Sequence, residues 1–123
     1  MKHLEDFEKA IASLEEVLAL EKSAIHRDSA IKRFELCFEL CWKSIKIYAR
    51  HQGIECNSPR FAFKTAFQLG LIDYNEEWLK MIDDRNLTAH IYKEEYAEKV
   101  YLRLPNYTGL FNKLLLHLKK ENE

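Results

Sequence analysis

SAIKRFELCFELCWKSIKIYARHQ, residues 29–52, predicts a long helix, because its apolar residues recur at spacings of three and four. One apolar row of this helix contains Ile31, Phe34, Phe38, Cys41, Ile45 and Tyr48. A second row contains Leu36, Leu40 and Ile47, with Trp42 nearby. A single row is enough for packing within a bundle, so two rows predict that the helix is central or also contacts another subunit. Of these alternatives we favour the subunit contact.

Residues typical of helix ends indicate where this and the neighbouring helices begin and end. Asp28 is a suitable N-cap, so the helix is predicted to begin at Asp28 or Ser29. Gly53 suits the left-handed position that follows a helix, so the helix is predicted to end at Gln52. Residues 4–22 carry another apolar stripe and predict the preceding helix, and residues 23–27 are the expected connection.

The second half of the chain predicts one short helix and two longer ones. Ser58 and Pro59 have the chemistry of a helix start, and Gly70 ends this short third helix. Asp73 or Asn75 is expected to cap the fourth helix, which is predicted to place Trp78, Leu79, Ile82 and Ala89 towards the core. The last helix begins beyond Tyr92, with a kink or short break expected at Pro105 and a frayed charged tail at residues 119–123.

No strand alternation, repeat or low-complexity tract occurs in the 123 residues, and there are only three glycines and two prolines. The patterns together predict an all-α protein, an antiparallel up-and-down helical bundle of four long helices plus one short one. A chain of this length is expected to form one domain, residues 1–123.

Composition narrows the classes of function. The formal net charge of −1 argues against a general nucleic-acid coat protein, although it leaves room for a local basic patch. The three cysteines have no zinc-ligand spacing, so we expect apolar fillers in a reducing cytosol and no metal. No apolar signal core or run of roughly 20 apolar residues occurs, which predicts a cytoplasmic protein without a membrane segment.

One segment, DRNLTAHIY at residues 84–92, gathers more phosphate-handling chemistry than any other. The guanidinium of Arg85 stays charged and fits phosphate oxygens, and the imidazole of His90 suits proton transfer near neutral pH. Asn86 would share a helix face with His90 if the helix continues that far. From spacing alone, a single histidine near a helix end is more often a surface or capping residue. Asp84, next to Asp83, is expected to be solvated or to pair with Arg85.

In this architectural order the motif Arg85-Asn86-x3-His90-x-Tyr92 resembles that of the HEPN superfamily, and more narrowly the nucleotidyltransferase substrate-binding proteins related to HepT-type toxins. Further residues that fit the resemblance are Arg33-Phe34-Glu35-Leu36, Trp42-Lys43, Ser58-Pro59, Ala66-Phe67, Gly70-Leu71-Ile72 and Trp78. The resemblance covers essentially the whole chain. One departure is Lys93 after Tyr92, where a more turn-like polar residue is expected.

The resemblance implies a homodimer whose motifs meet at the subunit interface, with a nucleotidyltransferase as partner and RNA or a nucleotide as ligand. HepT-type members are metal-independent endoribonucleases, which the partner silences by transferring AMP to the motif tyrosine. Arg85, His90 and Asn86 would then be catalytic, and Tyr92 and Asp84 would serve modification or substrate binding. The alternative is a non-catalytic adaptor that presents substrate to the nucleotidyltransferase. No cofactor is expected, since glycine-rich phosphate loops are missing.

A second basic feature is the segment 43–64, which contains five Lys and Arg residues and only one acidic residue, Glu55. The basic residues are Lys43, Lys46, Arg50, Arg60 and Lys64. Such a run is usually a solvated face, but it would also serve as a track for RNA or a nucleotide.

Overall fold

A computed structural model of the chain describes residues 2–122 and consists of five α-helices and one 3-10 turn. In chain order these are α1 (Lys2–Leu18), α2 (Ala24–His51), α3 (Pro59–Gln68), α4 (Glu77–Leu87), the 3-10 turn Thr88–His90 and α5 (Glu94–Glu121). The expected all-α helical bundle is confirmed for the part of the chain that is described. The helices α2 and α5 have 28 residues each, whereas α4 has 11 and α3 has 10.

The helix α2 is central, because it packs against α1, α3 and α5. Its first apolar row is buried as predicted from the spacing except for Tyr48, which is partly buried, and Phe34 and Ile45 are fully inaccessible to solvent. Its second row is only partly covered, and Leu36 remains 54% exposed. The two rows therefore have different environments: one belongs to the core, and the other is an open apolar strip on the surface.

An aromatic chain connects all five helices through the core. Phe7 of α1 contacts Phe111 of α5 edge to face, with 5.9 Å between ring centroids. Phe34 of α2 stacks on Tyr107 of α5 at 5.5 Å. Two further contacts complete the chain, Phe38 to Phe63 of α3 at 5.9 Å and Phe63 to Trp78 of α4 at 4.9 Å. Such pairs stabilise the fold beyond the burial of their surface, by about 1 kcal/mol each.

The start of α2 differs from the sequence-based prediction. The cap is Ser23, whose hydroxyl accepts a hydrogen bond from the backbone N–H of His26 at 3.0 Å, and not Asp28. The helix therefore begins about one turn earlier than predicted. This extra turn allows the buried Arg27 to form ion pairs with Glu94 and Glu98 near the start of α5.

The ends of the short helices follow the predicted chemistry more closely. Ser58 caps α3 by accepting from the N–H of Phe61 at 3.2 Å, with Pro59 in the first turn. For α4 the prediction of Asp73 or Asn75 as the cap is wrong, because the N-cap residue is Glu76, which makes no side-chain cap hydrogen bond; the side chain of Asn75 instead accepts from the N–H of Glu77 at 2.9 Å. Gly53 and Gly70 follow α2 and α3 with φ of +83° and +78°, a conformation that glycine adopts without the steric cost of a Cβ.

The last helix is longer than predicted. α5 runs through Pro105 as one helix, so the predicted short break is wrong. Pro105 lies on the exposed side, while Leu104 and Tyr107 on either side of it are buried and hold the helix against the core. The predicted frayed tail is also wrong up to Glu121, because Lys119 forms an ion pair with Glu8 of α1 at 2.7 Å. Glu123 lies outside the described residues.

A buried carboxylate ties α4 to α5. Asp84 is 1% exposed, and its two oxygens lie 2.9 and 3.1 Å from the guanidinium of Arg103. It also accepts a hydrogen bond from the hydroxyl of the buried Tyr107. Burial, together with this hydrogen bond to a carboxylate, raises the pKa of Tyr107 above its ordinary value, so the hydroxyl stays a donor. No helix among residues 2–122 combines the length and apolar character needed to cross a membrane.

We predict that Asp84→Ala lowers the free energy of unfolding by at least about 2 kcal/mol, because it leaves the hydroxyl of Tyr107 and the guanidinium of Arg103 without their acceptor. The matched control is Asp83→Ala, which removes the exposed neighbouring carboxylate and should change stability by less than about 0.5 kcal/mol. Urea unfolding followed by circular dichroism measures both. Equal stabilities of the two variants would contradict the anchoring role.

Candidate functional site

The segment 84–92 does not form one continuous helix. The helix α4 ends at Leu87, and the chain then tightens into the 3-10 turn Thr88–His90 before α5 begins at Glu94. The expected common helix face of Asn86 and His90 depended on a helix that continued to His90, and this expectation is wrong. The side chains of the segment are therefore distributed over a helix end, a turn and a connection.

Arg85 is directed towards α2. One terminal nitrogen of its guanidinium lies 3.2 Å from a carboxylate oxygen of Glu35 and donates to the hydroxyl of Thr88 at 3.0 Å. The same hydroxyl is 3.1 Å from Glu35 and 2.6 Å from the carbonyl oxygen of Arg85. The arginine is 30% exposed, and its Nε is buried without a partner among residues 2–122. Its position is thus fixed from two sides while part of the guanidinium faces solvent.

His90, Tyr92 and Asn86 lie on the surface. The rings of His90 and Tyr92 meet edge to face, with 6.1 Å between centroids and 77° between planes. Tyr92 is 78% exposed. None of the three side chains makes a hydrogen bond to another residue in the described range. They are therefore free to contact a ligand or another chain.

Asp84 does not face this surface. The alternatives of a solvated carboxylate or a partner for Arg85 are both wrong, because Asp84 is buried and pairs with Arg103. Adjacent residues on a helix point about 100° apart, so Asp84 faces α5 while Arg85 faces α2. Because Asp84 is buried and paired, its carboxylate is not accessible for contact with a substrate or for modification.

Two residues near Arg85 received no role from the sequence. Glu35 is the carboxylate that pairs with Arg85, and Thr88 connects the two. Glu35 follows the core residue Phe34 directly and is itself half-buried. Its place at the edge of the buried row was the only sign in the sequence that it pairs with a cation. For Thr88, its place between Arg85 and His90 was the only indication in the sequence of a role near the site.

The basic run at residues 43–64 is divided by the structure. Arg50 pairs with Glu55 at 3.3 Å, and Lys46 lies over the ring of Trp42 at 5.8 Å. Arg60 and Lys64 lie on α3 and make no ion pair with the described residues. Within residues 2–122, no group of three histidine, cysteine, aspartate or glutamate side chains could hold a metal ion.

The family match and the curated relative of this chain point to the same group of proteins. Residues 2–120 match a family described as "Nucleotidyltransferase substrate binding protein like". The chain is 30% identical over 99 residues to a probable ribonuclease HepT of Haemophilus influenzae, covering 76% of this chain and 68% of that protein.

Two solved structures share the fold. One is the crystal structure of a Thermus thermophilus protein, with a TM-score of 0.84, 41% identity, and coverage of 91% of this chain and 98% of that one. The other, from Haemophilus influenzae, is described as revealing the fold of a substrate-binding domain of a nucleotidyltransferase. It has a TM-score of 0.83 and 25% identity, and the match covers 94% of this chain and 98% of that chain. The resemblance inferred from the residues around Arg85 and His90 is confirmed, and the chain belongs to the nucleotidyltransferase substrate-binding protein family, which includes HepT-like relatives.

Proposed function

We propose that the protein is the partner of a small nucleotidyltransferase in a toxin–antitoxin-like pair and that it is a metal-independent endoribonuclease. Arg85 and His90 carry the reaction, Asn86 orients one of them, and Tyr92 is the site of AMP transfer. The protein acts as a homodimer in which the motifs of two copies form one cleft. The three cysteines, buried and unpaired, are compatible with a reducing cytoplasm, where we place the protein.

The observation that carries this proposal is the contrast between Arg85 and His90. The guanidinium is held in place by Glu35 and Thr88, whereas the imidazole five residues later is exposed. A fixed cation and an exposed imidazole within one short segment suit phosphodiester cleavage, since the phosphate needs a rigid binding partner and proton transfer needs an accessible nitrogen. The printed name of the Haemophilus influenzae relative, a probable ribonuclease, supports the same reaction class.

The chemistry requires no metal. The 2′-oxygen of a ribose attacks the adjacent phosphorus while its proton passes to a neutral imidazole of His90. The bond from phosphorus to the 5′-oxygen breaks, and this oxygen leaves with a proton from a protonated imidazole. Arg85 stabilises the additional negative charge on the phosphate oxygens. The products are a 2′,3′-cyclic phosphate and a 5′-hydroxyl, so atoms and charge balance.

A second copy supplies what one chain lacks. One exposed histidine offers one proton-transfer group, whereas two symmetric copies offer a base and an acid. The open apolar strip of α2 is a suitable contact surface, because Leu36 and Leu40 line a shallow hollow between α1 and α2. The sequence-based expectation of a subunit contact through the second row therefore stays part of the proposal.

We predict that the purified protein cleaves RNA in EDTA and that His90→Ala and Arg85→Ala each reduce the rate by at least about 100-fold, as expected for loss of a proton-transfer group or of an electrostatic stabiliser. His51→Ala is the matched control, because His51 is exposed and its side chain makes no hydrogen bond to other residues in the range 2–122. Gel analysis of several labelled RNAs, with identification of the cyclic phosphate terminus, provides the measurement.

Cleavage that survives unchanged in both motif variants would rule out the proposed roles. The absence of cleavage by the unmodified wild-type protein across those RNAs would rule out the ribonuclease.

We also predict that co-expression with the neighbouring nucleotidyltransferase adds mass to this protein in steps of about 329 Da, the mass of one AMP unit. The phenol oxygen of Tyr92 attacks the α-phosphorus of ATP, pyrophosphate leaves, and the phenol proton is released. Tyr92→Phe should abolish the additions, whereas Tyr74→Phe should not, since Tyr74 has a similar exposure of 73% but lies in another part of the fold. Intact-mass spectrometry decides between these results, and additions that persist in Tyr92→Phe would exclude this site.

The alternative is a non-catalytic adaptor that presents substrate to the nucleotidyltransferase. The pairing of Arg85 with Glu35 favours the adaptor, because a guanidinium already neutralised by a carboxylate can position a bound substrate as readily as it can stabilise a reacting phosphate. For this function we predict stable co-purification with the nucleotidyltransferase and undiminished association in His90→Ala. A failure of the two proteins to associate in size-exclusion chromatography would exclude the adaptor.

A further inference from the structure

A cavity of about 280 Å³ lies between α3, the start of α4 and the connection that joins them. Its floor is formed by the touching rings of Phe63 and Trp78, both almost fully buried. Its walls include Phe67 and Tyr74, whose rings meet edge to face at 5.8 Å. These two side chains are 47% and 73% exposed, so the cavity is open to solvent on their side.

Two cations lie on the α3 side of this cavity. Arg60 and Lys64 are four residues apart, so they lie on one face of the helix, and both line the cavity. Both are exposed, and neither pairs with a carboxylate anywhere in residues 2–122. They form the side of the cavity that suits an anionic group.

The connection on the other side contributes acceptors. Asp73 lines the cavity, is exposed and makes no ion pair with the described residues. The neighbouring Glu76 lies 3.3 Å from the hydroxyl of Tyr74. The cavity is therefore lined almost entirely by apolar surface, with two exposed cations and two exposed carboxylates among its lining residues. A ligand that matches the apolar surface, the cations and the carboxylates has a flat ring, an anion and a hydrogen-bond donor on the ring.

We propose that this cavity binds one purine nucleotide whose base carries an exocyclic amine. The base packs against Phe67 and Tyr74 above the aromatic floor, the phosphate contacts Arg60 and Lys64, and the amine donates to Asp73. The volume of about 280 Å³ limits the ligand to a single nucleotide, because it lies just below the roughly 300–1,000 Å³ that small-molecule sites occupy. Stacking on aromatic side chains beside cations is a general way of holding nucleotides.

The two tryptophans of the chain make a direct measurement possible. Trp78 lines the cavity, whereas Trp42 lies on α2 outside it, so the two indole N–H signals in an NMR spectrum report on binding and on an internal control. Titration with AMP should shift the Trp78 signal, leave Trp42 unchanged and give a Kd below about 1 mM. Adenosine, which lacks the phosphate, should bind at least about tenfold more weakly.

Variants test each side of the cavity separately. Arg60→Gln combined with Lys64→Gln should weaken AMP binding to the level of adenosine. The matched control is Lys99→Gln combined with Lys120→Gln, which removes the same charge from two other exposed lysines that make no ion pair in residues 2–122. Inosine monophosphate, which lacks the amine, should bind more weakly than AMP, and this preference should disappear in Asp73→Ala.

Several results would overturn the proposal. These are an unshifted Trp78 at millimolar AMP, equal binding of AMP and adenosine, or equal loss of binding in the control variant. If free phenylalanine shifts the Trp78 signal more than AMP does, the cavity binds an amino acid. If an oligoadenylate binds much more tightly than AMP, the cavity binds a base of an RNA. The site does not depend on cleavage by the motif, so His90→Ala should bind AMP like the wild type. Failure of one proposal is therefore distinguishable from failure of the other.

Discussion

The stacking of Phe34 on Tyr107 is the contact on which the placement of the motif depends. It joins α2 to α5 at the centre of the bundle, where both rings are fully buried. Tyr107 then uses its other end, the hydroxyl, to hold the buried carboxylate of Asp84 on α4. An aromatic side chain with a polar tip is suited to this task, since one end contributes to the core and the other satisfies a buried charge. The core thereby fixes the position of a short helix that could not be stable alone.

The position of α4 determines where the segment 84–92 lies. Asp84 binds α5, and the next residue, Arg85, binds Glu35 on α2, so adjacent residues clamp α4 between the two longest helices. Asp84 is a structural part of the motif, because it is buried and its carboxylate is satisfied by Arg103 and Tyr107 of α5. Beyond Arg85 the constraint weakens, and His90 and Tyr92 lie on a turn and a connection with exposed side chains. The segment thus passes from a rigid cation to an accessible base within five residues.

The helical bundle was predictable from sequence because its core residues follow the period of the helix. Phe34, Phe38 and Ile45 lie where their spacing places them, and Ser58 with Pro59 starts α3 as local chemistry requires. The errors arose where distant contacts outweighed local signals. Asp28 is a good N-cap by itself, but Arg27 pairs with carboxylates about 70 residues away and needs the helix to start earlier. Pro105 similarly stays within α5 because the buried residues around it hold the helix on the core.

The candidate site shows the same limit. The segment 84–92 was recognisable from its composition. The ion pairs that its side chains form depend on residues of α2 and α5, and no local sequence pattern reveals these partners. Glu35 is the clearest case, because its role follows only from its distance to Arg85. In the sequence it is one of 20 acidic residues, and only its place beside Phe34, at the edge of the buried row, distinguishes it.

The pairing of Arg85 with Glu35 also bears on how a phosphate would be attracted. A guanidinium beside a carboxylate has little net charge, and the whole chain has a net charge of −1, so a single copy attracts a polyanion only weakly. In the proposed dimer a second Arg85 and a second His90 would reach the same cleft, and exclusion of water there would strengthen each hydrogen bond to the phosphate. Each copy would also bring its own Glu35, so two oriented guanidinium groups, and not a net positive charge, would hold the phosphate. The proposed chemistry therefore needs the second copy for its guanidinium and imidazole, and not for a gain in charge.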